Sequence, residues 1–228
     1  MERFCMVNRR HFILAAGWLG VAGLSGLSAL AAPALAQKRA GVPAVILVVG
    51  DSLSAEYGLK RGEGWVPLLQ KRIAEQKIDA QVVNASISGD TSSGGRARLA
   101  GLLAQHKPTH VLIELGANDA LRGLPIKNTE DNLTQMTRAA QAAGAQVLII
   151  GIQVPPNYGS DYLRRFEAMF LQVAAATKAA VVPFLLRGVA DGPDAATLFQ
   201  ADRIHPVAAA QPRMLDNVWP ALRKLLGN

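Results

Sequence analysis

The feature that most constrains the fold is one apolar run with a polar turn directly behind it. Residues 45–49 are all apolar and four of them are β-branched, which is typical of a strand buried on both faces of a parallel sheet. Gly50, Asp51 and Ser52 follow where the strand leaves the sheet. Ligands of open α/β sheets bind beyond the carboxyl ends of the strands, so Ser52 is a candidate nucleophile at the mouth of a crevice. The same three residues also fit an ordinary turn, with Ser52 capping a helix.

Strand and helix patterns alternate along the rest of the chain after its first 36 residues. Strands are predicted at 80–85, 109–115, 146–151 and 181–184, and helices at 65–76, 96–106, 128–143, 161–178 and 207–226, the last interrupted near Pro212 and Pro220. This alternation predicts an α/β fold with a mostly parallel five-stranded sheet covered by helices on both faces. Polar clusters follow the strands or precede the last helix, so we expect them to gather at one edge of the sheet.

The first 36 residues have the features of an export signal. Arg9 and Arg10 precede an uncharged run of 25 residues that ends in the small-x-small pattern Ala34-Leu35-Ala36. The segment around the two arginines resembles a twin-arginine signal. We therefore predict a signal peptide over 1–36, one domain over 37–228, and a periplasmic or secreted protein. An uncleaved membrane anchor is the alternative, because an uncharged run of this length can span a bilayer.

Charge and cysteine content narrow the classes of partner. The formal net charge is +7, of which the three Arg and one Glu of residues 1–36 account for +2. The remaining Lys and Arg residues are scattered along the chain, which argues against nucleic acid as a partner. Cys5, the one cysteine, lies in the predicted signal. The mature chain is therefore expected to contain no disulfide, thiol nucleophile or thiolate metal site.

A serine nucleophile needs a base within hydrogen-bond reach, and the predicted mature chain has three histidines. His106 and His110 flank Pro108, so we do not expect them to share a helix face as a metal pair. His205 lies in a polar loop three residues after Asp202, whose carboxylate can orient the imidazole and stabilise its positive charge. A helix-capping Asp beside a surface histidine would give the same spacing.

Acyl transfer also needs hydrogen-bond donors aimed at the developing oxyanion. Three candidates lie in the loops. They are the backbone N–H groups of Ser52 and Gly89, the latter because glycine lets the chain approach closely, and the side-chain amide of Asn118. Taken alone, Asn118 fits a simple turn residue equally well.

Four short blocks together resemble the GDSL, or SGNH, hydrolase family. The blocks are Gly50-Asp51-Ser52-Leu53, Ser88-Gly89-Asp90-Thr91, Gly116-Ala117-Asn118-Asp119 and Asp202-Arg203-Ile204-His205-Pro206. The runs at 83–92 and 155–159 resemble more closely the bacterial thioesterase I/arylesterase/lysophospholipase subgroup. The resemblance extends from about residue 42 to about residue 225 and implies an SGNH hydrolase domain over 37–228.

The resemblance implies a flavodoxin-like three-layer α/β/α sandwich that hydrolyses aryl esters, acyl-CoA thioesters and lysophospholipids. It makes Ser52 the nucleophile, His205 the base and Asp202 the orienting partner of the base. It also makes Ser52, Gly89 and Asn118 the oxyanion donors, and it implies no metal or organic cofactor. The expected partner is a small-molecule acyl ester or thioester, with membrane contact only through a lipid substrate or an uncleaved signal, and a monomer is expected.

Apolar loop residues are predicted to line an acyl groove, with Tyr158 shaping its end. The other predicted groove residues are Leu121, Leu124, Ile152, Val154, Pro155 and Pro156. The same residues could instead only cover helix ends. Ala117 and Arg203 stand where the subgroup often has glycine, and we expect this difference to affect substrate preference more than catalysis.

Two other functions remain open at this point. The substrate could be an acetylated carbohydrate, which would make the protein a carbohydrate acetyl esterase. Alternatively, the loop at 88–95 could bind a phosphate or a flavin in a non-catalytic, flavodoxin-like module. This loop lacks the Gly-x-x-x-x-Gly-Lys-Ser/Thr pattern, which weakens the phosphate interpretation.

Overall fold

The computed structural model describes residues 43–227. The predicted signal peptide over 1–36 lies outside these residues, and so does the Cys5 position. Between residues 43 and 227, no helix combines the length and the apolar character needed to cross a bilayer.

Five strands form one parallel sheet, as predicted. They are β1 (Ala44–Gly50), β2 (Ala80–Asn84), β3 (His110–Glu114), β4 (Gln146–Ile150) and β5 (Ala180–Val182). Their order is β2-β1-β3-β4-β5, and all four pairings are parallel. This is the flavodoxin-like order, in which the chain reverses its direction of winding between β1 and β3. A crevice at the carboxyl ends of these two strands is therefore the expected ligand site.

Residues 43–227 form six α-helices, most of which cover the two faces of the sheet. They are α1 (Trp65–Glu75), α2 (Ser92–His106), α3 (Ala117–Leu121), α4 (Ile126–Ala142), α5 (Ser160–Thr177) and α6 (Gln211–Leu225). Helices α1 and α6 pack together on one side, and α2, α4 and α5 pack in a row on the other. The central strands are enclosed between these layers, since every residue of β3 and residues 46–50 of β1 are buried. The three-layer α/β/α prediction is confirmed.

Helix α2 begins at Ser92, four residues before the predicted start at 96. The Thr91 hydroxyl accepts a hydrogen bond from the Gly94 N–H at 3.2 Å, which makes Thr91 the N-cap. A Cβ atom at Gly95 would lie 2.3 Å from Leu115 Cδ1. The glycines that indicated a loop in the sequence therefore allow the first turn of the helix to pack closely against the end of β3.

Helix α6 is continuous from Gln211 to Leu225, so the predicted interruption near Pro220 is wrong. The predicted helix does change near Pro212, because residues 208–210 form a short 3-10 helix and the α-helix begins at Gln211. Pro212 lies in the first turn, where the missing N–H has no helical partner to lose. Pro220 lies in the helix interior, where it removes one backbone hydrogen bond. The buried face of the helix, which includes Trp219 and Leu222, keeps it packed through that point.

Candidate active site

Two neighbouring strands bring the residues that follow them to the same edge of the sheet. Ser52 comes two residues after β1, and Asn118 lies in α3, just beyond β3. Gly50 at the end of β1 pairs with Glu114 at the end of β3, so these two carboxyl ends lie side by side. The loop before α6 places His205 at the same edge, although 153 residues separate it from Ser52.

Ser52, His205 and Asp202 form one hydrogen-bonded chain. Ser52 Oγ lies 2.8 Å from His205 Nε2, and His205 Nδ1 lies 2.6 Å from Asp202 Oδ2. The other carboxylate oxygen, Asp202 Oδ1, accepts hydrogen bonds from the backbone N–H groups of Ile204 at 2.9 Å and His205 at 3.1 Å. These contacts fix the carboxylate and orient the imidazole ring towards the serine.

The hydrogen bond from His205 lowers the pKa of Asp202 to about 2, and the backbone N–H groups of Ile204 and His205 add to this effect. The Asp202 side chain is 36% exposed, so its ionised form also keeps part of its hydration. Hydrogen bonds to the charged form of a carboxylate favour that form. Asp202 is therefore an anion throughout the neutral pH range.

The loop that carries His205 is a tight turn with one residue in the left-handed region. Arg203 has a φ of 57°, a conformation that favours glycine. The Gln200 N–H donates to the His205 carbonyl at 2.8 Å, the Arg203 N–H donates to the Gln200 carbonyl at 2.9 Å, and Phe199 pairs with Pro206. The turn is thus closed on both sides of the histidine.

Tyr57 lies against the imidazole, a contact that the sequence did not predict. Its ring centroid is 4.3 Å from that of His205, and its carbonyl accepts a hydrogen bond from Gln200 Nε2 at 2.9 Å. In the sequence, Tyr57 is marked only by its position five residues after Ser52. That spacing matches neither helical nor strand periodicity, so it did not indicate a contact with the histidine.

Asp51 is fully buried beneath Ser52. Its Oδ1 accepts from the Leu53 N–H at 3.0 Å, and its Oδ2 accepts from Asn118 Nδ2 at 3.1 Å. Burial raises the pKa of Asp51 to about 6, although these hydrogen bonds and the nearby His205 oppose the increase. Asp51 thus connects the nucleophile turn to the residues that follow β3.

A second buried carboxyl, that of Glu114, lies next to Asp51. Its Oε2 accepts from Ser54 Oγ at 2.7 Å and from the Asp51 N–H at 3.5 Å, while Trp65 Nε1 donates to Ser54 Oγ at 3.2 Å. Glu114 Oε1 has no hydrogen-bond partner among the described residues. Burial, and then the charge of Asp51, raise the pKa of Glu114 well above its ordinary value. The sequence contains one indication of this buried carboxyl, namely an acidic residue at the end of a strand whose middle residues are apolar.

Three candidate oxyanion donors come from residues of the cavity beside Ser52. Ser52, Gly89 and Asn118 all line the cavity there, and the backbone N–H groups of Ser52 and Gly89 have no acceptor among residues 43–227. Gly89 has a φ of 80°, which requires glycine-like freedom. Asn118 Nδ2 donates to Asp51 and, at 3.0 Å, to the Asp90 carbonyl. The amide can therefore donate to a substrate oxygen only by replacing one of these two bonds.

A cavity of about 660 Å³ opens beside Ser52 and His205. Four predicted groove residues line it, namely Leu121, Ile152, Val154 and Pro155. The sequence did not identify the other large apolar residues of the lining, which are Leu53, Leu163, Phe184, Leu186, Phe199 and Ile204.

Leu124 and Tyr158 lie outside the lining, which corrects the prediction that they form part of the groove. The Leu124 N–H donates to the Asp119 carbonyl at 2.9 Å in the turn after α3. The Tyr158 ring packs instead on Tyr162, with 5.7 Å between centroids. Pro156 is the first residue of the short 3-10 helix Pro156–Tyr158.

Known proteins resemble this chain over most of its length. The model of the GDSL-like lipase/acylhydrolase family matches residues 48–211. Esterase TesA of Pseudomonas aeruginosa is 55% identical over 181 residues, which cover 79% of this chain and 89% of that protein. Thioesterase 1/protease 1/lysophospholipase L1 of Escherichia coli K12 is 40% identical over 190 residues, covering 83% and 88% of the two proteins.

A solved structure extends the likeness to the fold. The psychrotrophic esterase EstA from Pseudoalteromonas sp., in a structure inhibited by monoethylphosphonate, superimposes with a TM-score of 0.75 at 44% identity, covering 81% of this chain and 99% of that chain. With the matched family model and these relatives, the likeness holds in both sequence and fold. The chain therefore belongs to the GDSL-like lipase/acylhydrolase family and is an ester hydrolase of the SGNH type.

Proposed function

We propose that this protein is an exported serine esterase that hydrolyses acyl esters and thioesters through Ser52, His205 and Asp202. The observation that carries the proposal is the chain of two hydrogen bonds from Ser52 Oγ through the His205 ring to Asp202. The names of the relatives support aryl esters, thioesters and lysophospholipids as substrate classes.

The first half of the reaction acylates the serine. His205 Nε2 takes the Ser52 proton as Oγ attacks the acyl carbonyl carbon, and the Asp202 carboxylate stabilises the imidazolium that forms. The imidazolium then gives its proton to the departing alcohol or thiol, which leaves Ser52 as an ester. This sequence needs the deprotonated Asp202, which its low pKa ensures.

The second half returns the enzyme to its starting state. A water molecule takes the place of the leaving group, gives a proton to His205 Nε2 and attacks the acyl carbon. When the carbon–oxygen bond to Ser52 breaks, the serine oxygen recovers that proton and the acid is released. In both halves the N–H groups of Ser52 and Gly89, together with the Asn118 amide, would donate to the oxyanion.

The lining of the cavity supports an apolar acyl or aryl group as the part of the substrate that it holds. Aliphatic and aromatic side chains make up most of its wall, and they offer few partners for the hydroxyl groups of a sugar. This composition favours a fatty acyl or aryl ester over an acetylated carbohydrate. The predicted signal at 1–36 supports a location in the periplasm or outside the cell. The protein would act there as a monomer.

Steady-state kinetics of Ser52→Ala and of a matched control, Ser93→Ala, test the proposal. Ser93 is an exposed residue of the first turn of α2. A series of p-nitrophenyl esters of increasing chain length, with acyl-CoA, lysophospholipid and acetylated sugar beside it, identifies the substrate class. We expect Ser52→Ala alone to lose hydrolysis and longer acyl chains to be preferred over acetate. Turnover retained by Ser52→Ala would contradict the mechanism, and a preference for acetylated sugar would favour the carbohydrate esterase.

A further inference from the structure

Arg98 of α2 lies outside the cavity lining, yet its guanidinium donates hydrogen bonds to three residues of segments that form the site. Its Nε donates to Asp90 Oδ2 at 2.9 Å, its Nη1 donates to the Ala85 carbonyl, and its Nη2 makes a longer bond of 3.5 Å to the Gly50 carbonyl. The side chain is only 21% exposed. The guanidinium is therefore largely enclosed by the segments that carry Ser52 and Gly89.

The three acceptors belong to two parts of the site that lie far apart in the sequence. Gly50 ends β1 immediately before the turn that carries Ser52. Ala85 and Asp90 bracket the loop that carries Gly89, a loop outside the helices and strands. One side chain thus connects the nucleophile turn with the loop of a proposed oxyanion donor.

The third oxyanion donor is connected to the same guanidinium through Asp90. The Asp90 carbonyl accepts from Asn118 Nδ2 at 3.0 Å, while the Asp90 carboxylate pairs with Arg98. That carboxylate is only 12% exposed, and a charge removed from water to this extent needs a partner. Loss of the guanidinium would leave it unpaired and free to turn towards solvent, together with the carbonyl that holds the Asn118 amide.

Other hydrogen bonds also hold the Gly89 loop in place, among them one from the Ala85 N–H to the Val48 carbonyl at 2.9 Å. The Ile87 N–H donates to the Gly50 carbonyl at 3.0 Å, and the exposed Arg122 donates to the Gly89 carbonyl at 2.8 Å. A guanidinium presents its donors in a rigid planar fork, whereas the ammonium of lysine is a compact charge on a flexible stem. Only the fork can bond to all three Arg98 acceptors at fixed angles.

We infer that Arg98 is a positioning residue for ester hydrolysis, whose guanidinium fixes the Gly89 loop and the Asn118 amide relative to Ser52. The inference rests on the proposed function, because it assigns Arg98 to the geometry of that reaction. A misplacement of about 1 Å in a reacting geometry costs about 10²-fold in rate. Arg98 does not line the cavity, so the change is expected in kcat and not in KM.

The experiment compares Arg98→Ala and Arg98→Lys with Arg96→Ala. Arg96 is two residues away on α2, and its side chain makes one exposed hydrogen bond of 3.2 Å to Gln135. Active sites are counted by titration with a phosphonate ester, so kcat refers only to folded, reactive enzyme. We expect kcat to fall about 10- to 100-fold in both Arg98 variants, with KM within about threefold of the wild type and Arg96→Ala unchanged.

Chemical rescue separates positioning from mere stability. Guanidinium chloride at low millimolar concentration should restore part of the activity of Arg98→Ala, whereas sodium or ammonium chloride at equal ionic strength should not. If Arg98→Ala does not fold, the kcat of Arg98→Lys decides. A normal kcat per titrated site with only a lower melting temperature would overturn the inference. If the wild type itself is not phosphonylated at Ser52, the proposed function fails first and the inference fails with it.

Discussion

The two sides of Ser52 carry carboxyl groups in opposite electrostatic settings. On the loop side, Asp202 is partly exposed, receives a hydrogen bond from His205, and has its pKa lowered to about 2. On the sheet side, Asp51 and Glu114 are buried, and burial raises the pKa of Asp51 to about 6 and that of Glu114 well above its ordinary value. Both sides offer backbone N–H donors to their carboxyl groups, so the difference comes from the His205 hydrogen bond on the loop side and from burial on the sheet side.

This difference assigns a separate task to each side. On the loop side, the Asp202 carboxylate keeps a negative charge beside the proposed base, and water still partly solvates that charge. The sheet side keeps carboxyl groups out of water, where they serve as hydrogen-bond acceptors that shape the nucleophile turn. Carboxyl pairs whose environments separate their pKa values in this way are typical of enzyme sites.

The same contrast gives the two sides opposite effects on stability as the pH changes. The lowered pKa of Asp202 stabilises the fold above its unfolded pKa, and this contribution is lost as the pH falls through about 2. The raised pKa of Asp51 means that the folded state holds its proton more tightly. Stability on the sheet side therefore falls as the pH rises from about 4 to about 6.

The largest expected effect is that of His205→Ala on the loop side. Removing the base should lower kcat roughly 10⁵- to 10⁶-fold, while the far-ultraviolet circular dichroism and the melting temperature stay near those of the wild type. Ester hydrolysis followed at pH 8 measures the loss. A variant that keeps more than a hundredth of the activity would show that His205 is not the base.

Asp202→Asn should have the next largest effect. An amide at this position favours the wrong imidazole tautomer, so kcat should fall about 10³- to 10⁴-fold. The wild-type rate should rise with pH when it is measured from pH 5 to pH 8, because only a neutral imidazole can take the serine proton. A wild-type profile that stays flat over these pH values would contradict the role of His205, and an active Asp202→Asn would contradict that of Asp202.

Asn118→Ala tests the connection between the two sides. Loss of one oxyanion donor typically costs about 10²- to 10³-fold in kcat, and here it also removes the hydrogen bond that Asn118 donates to Asp51. Both kcat and the urea midpoint should therefore fall. An unchanged kcat with a lower urea midpoint would restrict Asn118 to a structural role.

Glu114→Gln is expected to change the activity least. Its main effect is expected on the free energy of unfolding. The amide has nearly the same shape, and its oxygen can still accept from Ser54, so kcat should stay within about threefold of the wild type. At pH 8 the free energy of unfolding should rise, because burial raises the pKa of the folded Glu114 carboxyl and so costs stability at high pH, whereas an amide does not titrate.

Urea denaturation of Glu114→Gln at several pH values measures this effect. The exposed Glu75, which is 62% accessible, provides the matched control Glu75→Gln, for which little change is expected at any pH. A loss of stability in Glu114→Gln at pH 8 would show that the buried carboxyl strengthens the fold. The statement that the two sides of Ser52 have opposite effects on stability would then be wrong.

Much of the fold followed from local patterns in the sequence. The apolar run at 45–49 and the strand–helix alternation predicted the parallel sheet, and the order of the polar clusters placed Ser52 and His205 at one edge. The sequence did not indicate the true start of α2 because glycines are typical of loops. Gly95 instead lets the helix pack closely against Leu115 at the end of β3, and that packing is a tertiary effect. Pro220 was expected to interrupt α6, but the burial of the helix face outweighs one lost hydrogen bond.

The supporting residues of the site could not be predicted in the same way. Glu114 bonds to Ser54 across 60 residues, and Arg98 reaches Gly50 across 48, so neither contact leaves a period in the sequence. The far wall of the cavity comes from Phe184 and Phe199, which lie outside the regular helices and strands. Such contacts depend on how the loops fold over the sheet edge.

The central claim is that the Ser52 hydroxyl is activated by the His205–Asp202 pair. The most direct test is peptide mass mapping after treatment with a phosphonate ester, in the wild type and in His205→Ala. The account predicts one adduct, on the peptide that contains Ser52, formed rapidly in the wild type and at least about 10²-fold more slowly without the imidazole. An adduct on another residue, or equal rates in the two proteins, would contradict it.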